Sequence, residues 1–314
     1  MRKLYNPGRS NIVSQNGMAA TSQPLSTLEA INILQNGGNA IDAAIAASAV
    51  QSVVEPGSTG IGGDCFAIIS LNGKDPIAVN GSGISPLKAN FEYFNNKNIK
   101  KIETTSPHSI TIPGAVHAWH TMHKKFGKLD FEQLFITAEN YARNGFPIHE
   151  VESISWKKNE QKLSLYPNTK KLFLNNGKSY KFGEIFKNIP LANSIKAIGK
   201  KGLKAFYSGD IAKDMVETLQ SVGGLHTMED FYNQQTIISK TIKSKFKDFY
   251  IHQCPPNGPG VTVLMMIKLL EKFNFNNIKP DSFERYHLQT EITKICYEEK
   301  ENKLGDPNFS NINI

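Results

Sequence analysis

Apolar positions near the start of the chain recur at helical spacing. Leu28, Ile31 and Leu34 fall three apart, and Ser26-Thr27-Leu28-Glu29 has the form of a capping box, with Ser26 as the cap and Glu29 able to reach back to it. A helix is therefore predicted over 26–36. Gly37-Gly38 stops it, since glycine accepts the left-handed conformation of a helix C-terminus. Residues 17–22 read as a short strand closed by Gln23-Pro24. A second helix is predicted over 40–53. It carries Ala43, Ala44, Ala46, Ala47 and Ala49, small side chains that suit close packing on both sides, and Glu55-Pro56-Gly57 ends it.

Residues 65–71 form an apolar run that reads as a buried strand. Asn72-Gly73 is a hairpin signal, and 77–80 is the return strand, leading into Gly81-Ser82-Gly83. Pro113 opens a helix to about residue 126, ended by Gly127. Further helices are predicted over 131–144, closed by Gly145, and over 211–222, closed by Gly223-Gly224. Strands over 236–243 and 247–253 and helices over 258–273 and 283–304 follow. Helices, a hairpin, more helices, then strands and helices describe a layered α/β or α+β chain, not a strict βαβ alternation.

Composition narrows this picture. The 314 residues are 39% hydrophobic and 20% charged, which excludes a disordered chain, a collagen or a disulfide-stapled miniprotein. No internal repeat or low-complexity linker cuts the chain, so 1–314 reads as a single region. No run of about 18 apolar residues exists, so no membrane span is expected. Charges within 1–9 have no apolar run behind them, which speaks against a secretory signal. Three cysteines, Cys65, Cys254 and Cys296, are far apart and form no CxxC pair, which fits a reducing, cytoplasmic setting. The net charge of +8 comes from dispersed lysines. Lys243, Lys245 and Lys247 alternate with Ser244 and Phe246 and read as a solvated strand face, so no nucleic-acid partner is expected.

Several motifs invite chemistry. His117, His120 and His123 fall three apart on one predicted helix, but HExxH is absent and no carboxylate has matching spacing, so they read as partly exposed helix histidines and not a metal site. Gly60-Ile61-Gly62-Gly63 lacks the GxxxxGK[ST] pattern and precedes a strand; it reads as a close approach of backbone to a neighbouring layer. Asp64 follows it with no partner assignable. Leu264, Met265, Met266, Leu269 and Leu270 look like a packed helix face, and Pro255-Pro256-Asn257-Gly258 looks like a turn feeding that helix. No cofactor is implied.

Taken in order, these segments resemble the γ-glutamyltranspeptidase family. The resemblance rests on Gly17-Met18-Ala19-Ala20, on 25–29, and on Gly37-Gly38-Asn39-Ala40-Ile41-Asp42-Ala43-Ala44. It continues through Val54-Glu55-Pro56, Gly60-Ile61-Gly62-Gly63 with Phe66, Pro113-Gly114-Ala115-Val116, and Tyr141-Ala142 with Gly145-Phe146-Pro147. Ala205-Phe206-Tyr207, Gly223-Gly224-Leu225 with Glu229-Asp230, Pro255-Pro256-Asn257, and Leu304-Gly305-Asp306-Pro307 complete it, so that it covers 17–309. It implies an α+β fold, the αββα sandwich of N-terminal-nucleophile hydrolases. It further implies a precursor that cuts itself before a threonine, whose hydroxyl then attacks an amide carbonyl with its own α-amine as base. The partners implied are a small-molecule amide substrate and a small subunit cut from the same precursor.

The sequence departs from the family in two places. The family's Thr-Thr-His or Thr-Ser-His nucleophile segment lies beyond the Leu-Gly-Asp-Pro stretch, so the chain is expected to be a large-subunit region that stops before the nucleophile, leaving the sandwich incomplete. No catalytic residue is assigned within it. Thr104-Thr105-Ser106-Pro107-His108-Ser109 imitates the nucleophile segment but sits in the middle of the large-subunit region and reads as a polar loop. The second departure concerns substrate. Glutathione-cleaving members place an Arg shortly after the hairpin, whose planar fork pairs both oxygens of the glutamyl α-carboxylate. Aligning on Pro86 puts Ser82 there, and Asn80-Gly81-Ser82-Gly83-Ile84-Ser85-Pro86 holds no Arg. Ser82 and Gly83 are thus the candidate substrate-binding residues, in a loop that is similar to the acylase-type branch. A γ-glutamyl amide hydrolase or acyltransferase, an acylase-type amidase, and a non-catalytic chain that binds a partner all remain open.

Overall fold

A computed structural model describes residues 11–275 and 278–306. The readings of 1–9, Pro307 and Phe309 lie outside the described residues. In chain order the elements are α1 (Pro24–Gln35), α2 (Ala40–Val54), β1 (Cys65–Ile69), β2 (Ile77–Gly81), α3 (Phe91–Asn96), α4 (Ala115–Phe126), α5 (Ile136–Asn144) and β3 (Phe146–Pro147). Then come α6 (Glu150–Lys158), α7 (Glu160–Leu163), α8 (Pro167–Phe173), β4 (Ile185–Phe186), α9 (Ile189–Lys201), α10 (Leu203–Tyr207), α11 (Asp210–Ser221) and α12 (Met228–Tyr232). The last are β5 (Ile237–Lys240), β6 (Ile242–Phe246), β7 (Phe249–Gln253), α13 (Gly260–Leu270) and α14 (Phe283–Lys303). This is an α+β chain, as the sequence predicts.

Contacts group these elements into two compact units. The first takes residues up to Gly62, then Ser85–Thr111 and Trp119–Tyr232; the second takes Gly63–Ile84, Ile112–Ala118 and Asn233 onward. In the first unit α2 is the central element. Ala46, Ala49, Val50 and Val54 are fully buried, and the helix packs on both α1 and α5. Its alanines allow that, because small side chains let neighbouring helices close in. Asn39 caps α2 in a complete capping box with Asp42. The buried Asp42 carboxylate also accepts from the Lys128 and Leu129 amides (3.0–3.3 Å), which ties α2 to the turn after α4. A second core gathers Trp156, Phe173, Tyr180 and Phe186, with Trp156 and Phe186 edge to face at 4.9 Å.

The start of α1 differs from the prediction. Gln23 is the cap, its side chain accepting from the Leu25 and Ser26 amides, and Pro24 sits in the first turn. Ser26 is buried inside the helix and its Oγ has no partner. Residues 17–22 form no strand. Helices α1 and α2 belong to the first unit and the hairpin to the second. The stretch 131–144, predicted as one helix, splits into a 3-10 turn, Phe131–Phe135, and α5, which Gly145 closes at φ +95°.

In the second unit β1, β2 and β5 form an antiparallel sheet in that order. The stretch predicted as one strand over 236–243 breaks at Thr241: β5 joins β2, while β6 turns back on β7 through Lys247 at φ +51°. Lys243 and Lys245 are exposed on β6, as the alternation predicts. Strand β1 is not fully buried. Its residues alternate, and Phe66 and Ile68 lie exposed on one face.

Candidate functional site

The loop that carries Ser82 and Gly83 leaves the end of β2, and two glycines set its course. A Cβ on Gly114, just before α4, would lie 2.1 Å from the Gly81 carbonyl oxygen. A Cβ on Gly81 would lie 2.4 Å from that of Ala118. Only hydrogen at both positions lets the start of α4 press against the strand end. The glycine loop before β1 completes the clamp, since the Gly63 carbonyl accepts from the Gly114 and Ala115 amides at 3.0 and 2.9 Å. This is the close backbone approach that Gly60 to Gly63 suggested.

Beyond the clamp, the Ser82 loop is held by side chains distant in sequence. The Ser82 hydroxyl lies 2.8 Å from Asn80 Oδ1, which also accepts from the Ser82 amide at 3.0 Å. Asn257 closes the ring: its Nδ2 donates to Ser82 Oγ (3.0 Å) and its Oδ1 accepts from Asn80 Nδ2 (2.8 Å). The Gly83 amide donates to Asp64 Oδ1 at 2.8 Å. From the other side Gln234 Nε2 donates to the Ser82 carbonyl at 3.0 Å. Ser82 and Gly83 are thus brought together with Asn80, Asn257, Asp64 and Gln234. Asn257 is positioned by the turn before α13, and Asp64 by the glycine loop that precedes β1.

Three properties follow from this arrangement. It is polar but holds no cation, and its one formal charge, on the exposed Asp64, is negative. It borders an apolar surface: Asn80 pairs across the sheet with Phe66 and with Ile237, both exposed. Phe66 also lies under Gly258, where a Cβ would sit 3.6 Å from its ring. Such a constellation can orient an acyl chain by neutral hydrogen bonds and apolar contact. It offers no guanidinium or ammonium group to form a charge-assisted pair with a carboxylate.

The other candidate motifs fall elsewhere. Thr104 and Thr105 sit inside the chain, so neither has an α-amine to serve as its base. Ser106 caps a 3-10 turn, Ser109 Oγ donates to the Thr104 and Ser106 carbonyls, and Thr105 O accepts from Tyr166 OH at 2.9 Å, so the segment is a hydrogen-bonded loop. The three helix histidines diverge. His117 Nδ1 meets Thr236 Oγ1 at 2.8 Å, His123 Nε2 meets the Leu129 carbonyl at 2.7 Å, and His120 packs edge-on against Phe131. Burial, and then the charges of His123 and Lys124, hold the His120 pKa below its ordinary value. Among the described residues no group of three His, Cys, Asp or Glu side chains could hold a metal ion. Cys254, against the Ala67 and Val79 carbonyls, has its thiol pKa pushed up by burial. Cys254 and Cys296 are free thiols, and no helix of the described residues is long and apolar enough to cross a membrane.

The sequence points to Ser82 and Gly83 as candidates but does not show Asn80, Asn257, Asp64 and Gln234 as their partners. Asn80 lies at the end of β2, Asp64 directly after the glycine loop, and Asn257 in the Pro255–Gly258 turn. What was lacking was the pairing of β2 with β5 and of the loop with the α13 turn.

Comparison with known proteins agrees with this fold. The sequence profile of the family described as Gamma-glutamyltranspeptidase matches residues 26–314. The Glutathione hydrolase-like YwrD proenzyme of Bacillus subtilis is 33% identical over 303 residues, which is 96% of this chain and 58% of that protein. The chain thus spans little more than half the length of this curated relative. The crystal structure of Helicobacter pylori gamma-glutamyltranspeptidase superposes with a TM-score of 0.90 at 26% identity, covering 96% of this chain and 88% of that one. Cephalosporin acylase from Bacillus halodurans superposes with a TM-score of 0.87 at 27% identity, covering 99% of this chain and 60% of that one.

Proposed function

The chain belongs to the γ-glutamyltranspeptidase family, and from that premise we propose that residues 1–314 are the large-subunit region of an amide hydrolase or acyltransferase that has no activity by itself. In this reading the nucleophilic threonine lies in a complementary segment, the small subunit of the same precursor. That threonine attacks the amide carbonyl, its α-amine takes the hydroxyl proton and passes it to the leaving amine, and water or a second amine then takes the acyl group. The large-subunit region positions the acyl chain with the Ser82–Asn80–Asn257 ring and the Gly83 loop. The reducing interior of a cell is the proposed setting, a reading supported by the wide spacing of the cysteines and the free thiols of Cys254 and Cys296.

One observation carries the substrate assignment: the ring is neutral and its nearest charge is the Asp64 carboxylate. A glutamyl α-carboxylate placed there would find no guanidinium fork and would face a like charge. We therefore assign the preferred substrate to amides whose acyl group lacks that carboxylate, which is the acylase side of the family. The test compares kcat/KM of the processed full-length enzyme on a γ-glutamyl anilide and on a simple acyl anilide such as the butanoyl one, which has no second carboxylate. The acyl anilide should be preferred, and Ser82→Arg should raise γ-glutamyl turnover at least tenfold, since a buried charge pair left unmade costs about 2–5 kcal/mol. Equal or better use of the γ-glutamyl substrate by the unmodified enzyme would sink this assignment.

A further inference from the structure

Within the first unit, the turn after α2, the 104–110 segment and helices α6, α7 and α8 border a cavity of about 360 Å3, the size of a small-molecule site. The backbone acceptors around it are engaged. The Thr104 carbonyl accepts from Ser109 Oγ at 3.2 Å, the Thr105 carbonyl from Tyr166 OH at 2.9 Å, and the Ser155 carbonyl from Asn159 Nδ2 at 2.9 Å. The side-chain donors are not. Thr104, Thr105, Ser155 and Thr169 bring hydroxyls to the lining, and none of these hydroxyls bonds to a described residue. Lys162 is the only charged residue of the lining, and it forms no ion pair among the described residues.

Trp156, on α6, supplies the decisive donor. It lines this cavity and is only 3% exposed. Phe173, Tyr180 and Phe186 clamp its ring at 4.9–6.0 Å between centroids, so the indole cannot turn to find a new partner. Its Nε1–H meets no acceptor among the described residues. A buried indole N–H ordinarily has one. Nor is this nitrogen among the unpartnered atoms that the protein encloses completely, so it is open on the side where Trp156 meets the cavity. A second cavity, of about 430 Å3, shares Thr105, Ile110, Tyr166 and Thr169 with the first and has no charged residue on its lining. Donors and a single cation thus stand at one end of a cleft whose other end is neutral, with Pro107, Leu219 and Val222 as apolar wall.

We propose that this cleft binds a small organic monocarboxylate, its carboxylate accepting from the Trp156 indole and the threonine hydroxyls, with Lys162 as counter-charge. The apolar body lies past Tyr166 and Ile110. One cation matches one negative charge, whereas a dianionic phosphate would leave a charge unmatched. All these residues belong to the first unit, and the proposal does not depend on the substrate assigned above.

The purified chain, labelled with 15N only in its tryptophan indoles and titrated with sodium 3-phenylpropanoate, tests it. The chain has two tryptophans, Trp119 and Trp156, so two N–H resonances report. That of Trp156, assigned by its loss in Trp156→Phe, should move downfield and saturate with a Kd on the order of 1 mM, while that of Trp119 stays in place. The uncharged 3-phenylpropanamide should bind about threefold more weakly. Inorganic phosphate at equal ionic strength should not displace the probe. Saturation-transfer NMR reads the variants. Lys162→Gln, a change at an exposed position, should weaken binding about threefold. Trp156→Phe, which keeps an aromatic ring but removes the donor, should weaken it about tenfold. A Trp156 resonance that does not move at about ten times the expected Kd would overturn the proposal. So would equal movement of both indoles, equal binding of the amide, displacement by phosphate, or unchanged affinity in either variant.

Discussion

Ser82 illustrates how much a residue can show by its type and how little of its setting. Its identity revealed the missing guanidinium, because an Arg there would supply a charge-assisted fork. Its partners could not be read, since Asn257 lies 175 positions away and meets it only after β2, β5 and the α13 turn have formed. The glycines are legible in a different sense: Gly60 to Gly63 read as a close backbone approach, and the Gly63 carbonyl does meet the Gly114 and Ala115 amides, whereas the tight fit at Gly114, whose Cβ would lie 2.1 Å from Gly81 O, shows only in the structure. Backbone cannot yield there as a flexible side chain would. Gly114→Ala should therefore lower stability by about 2 kcal/mol or more, in the range of core overpacking, and should displace the Ser82 loop. Thermal unfolding measures the first effect, and loss of acyl-anilide turnover in the processed enzyme measures the second. An Ala variant with unchanged melting temperature would show that the clamp is loose. Asp42 makes a complementary case. It is fully buried and accepts from the Asn39, Lys128 and Leu129 amides. Asp42→Ala would strand those donors, so a loss of about 2–4 kcal/mol is expected in chemical denaturation, from the amides left unpaired and the lost cap.

At the scale of elements, long periodic segments were legible and short ones were not. Helices α2, α11, α13 and α14 lie within a few residues of their predicted bounds, because apolar spacing and terminal glycines act locally. No local pattern marks the helices from α6 to α10. They are mostly short, and their burial is decided by the Trp156–Phe173–Tyr180–Phe186 cluster, not by any local period. Strand β1 was misjudged as fully buried because an unbroken apolar run cannot tell one covered face from two. Glu160, at the start of α7, offers an elemental test through pH. The Ser179 amide, then the Ser179 hydroxyl, then Lys157 all donate to its carboxylate, and they hold its pKa down to about 2 from 4.5. A carboxylate depressed on folding contributes stability that is present above the unfolded value, near 4.5. That contribution is lost as pH falls toward 2. Acid titration followed by carboxyl-carbon NMR should therefore place the Glu160 midpoint near 2. Glu160→Gln should flatten the dependence of stability on pH between about 4.5 and 2. A midpoint near 4.5 in the folded chain would mean that the Ser179 contacts do not hold in solution.

For the molecule as a whole, the α+β class and the family were legible, because colinear motifs spread over nearly the entire chain fix both. The division into two compact units was not, since each unit draws on separated segments and no linker marks the passage. The state of the second unit's sheet leads to the last expectation. Strand β1 ends the three-stranded order β1-β2-β5, and Phe66, Ile68 and Ile237 stand 42%, 41% and 62% exposed. Cross-strand register places Phe66 and Ile237 on the face of Asn80, so the exposed apolar side chains adjoin the proposed acyl site. An open strand edge beside exposed apolar side chains invites association. In the proposed reading, the complementary segment that brings the threonine covers this surface. The isolated chain should therefore show no amide turnover, with Thr104→Ala changing nothing, and should self-associate at micromolar concentration in sedimentation velocity. Replacing the two β1 side chains, Phe66→Ser with Ile68→Thr, should shift it toward monomer without altering the far-ultraviolet circular dichroism. If the unmodified chain instead sediments as a single monomeric species and unfolds in one cooperative step, the sheet face needs no partner and the large-subunit reading loses its main physical support.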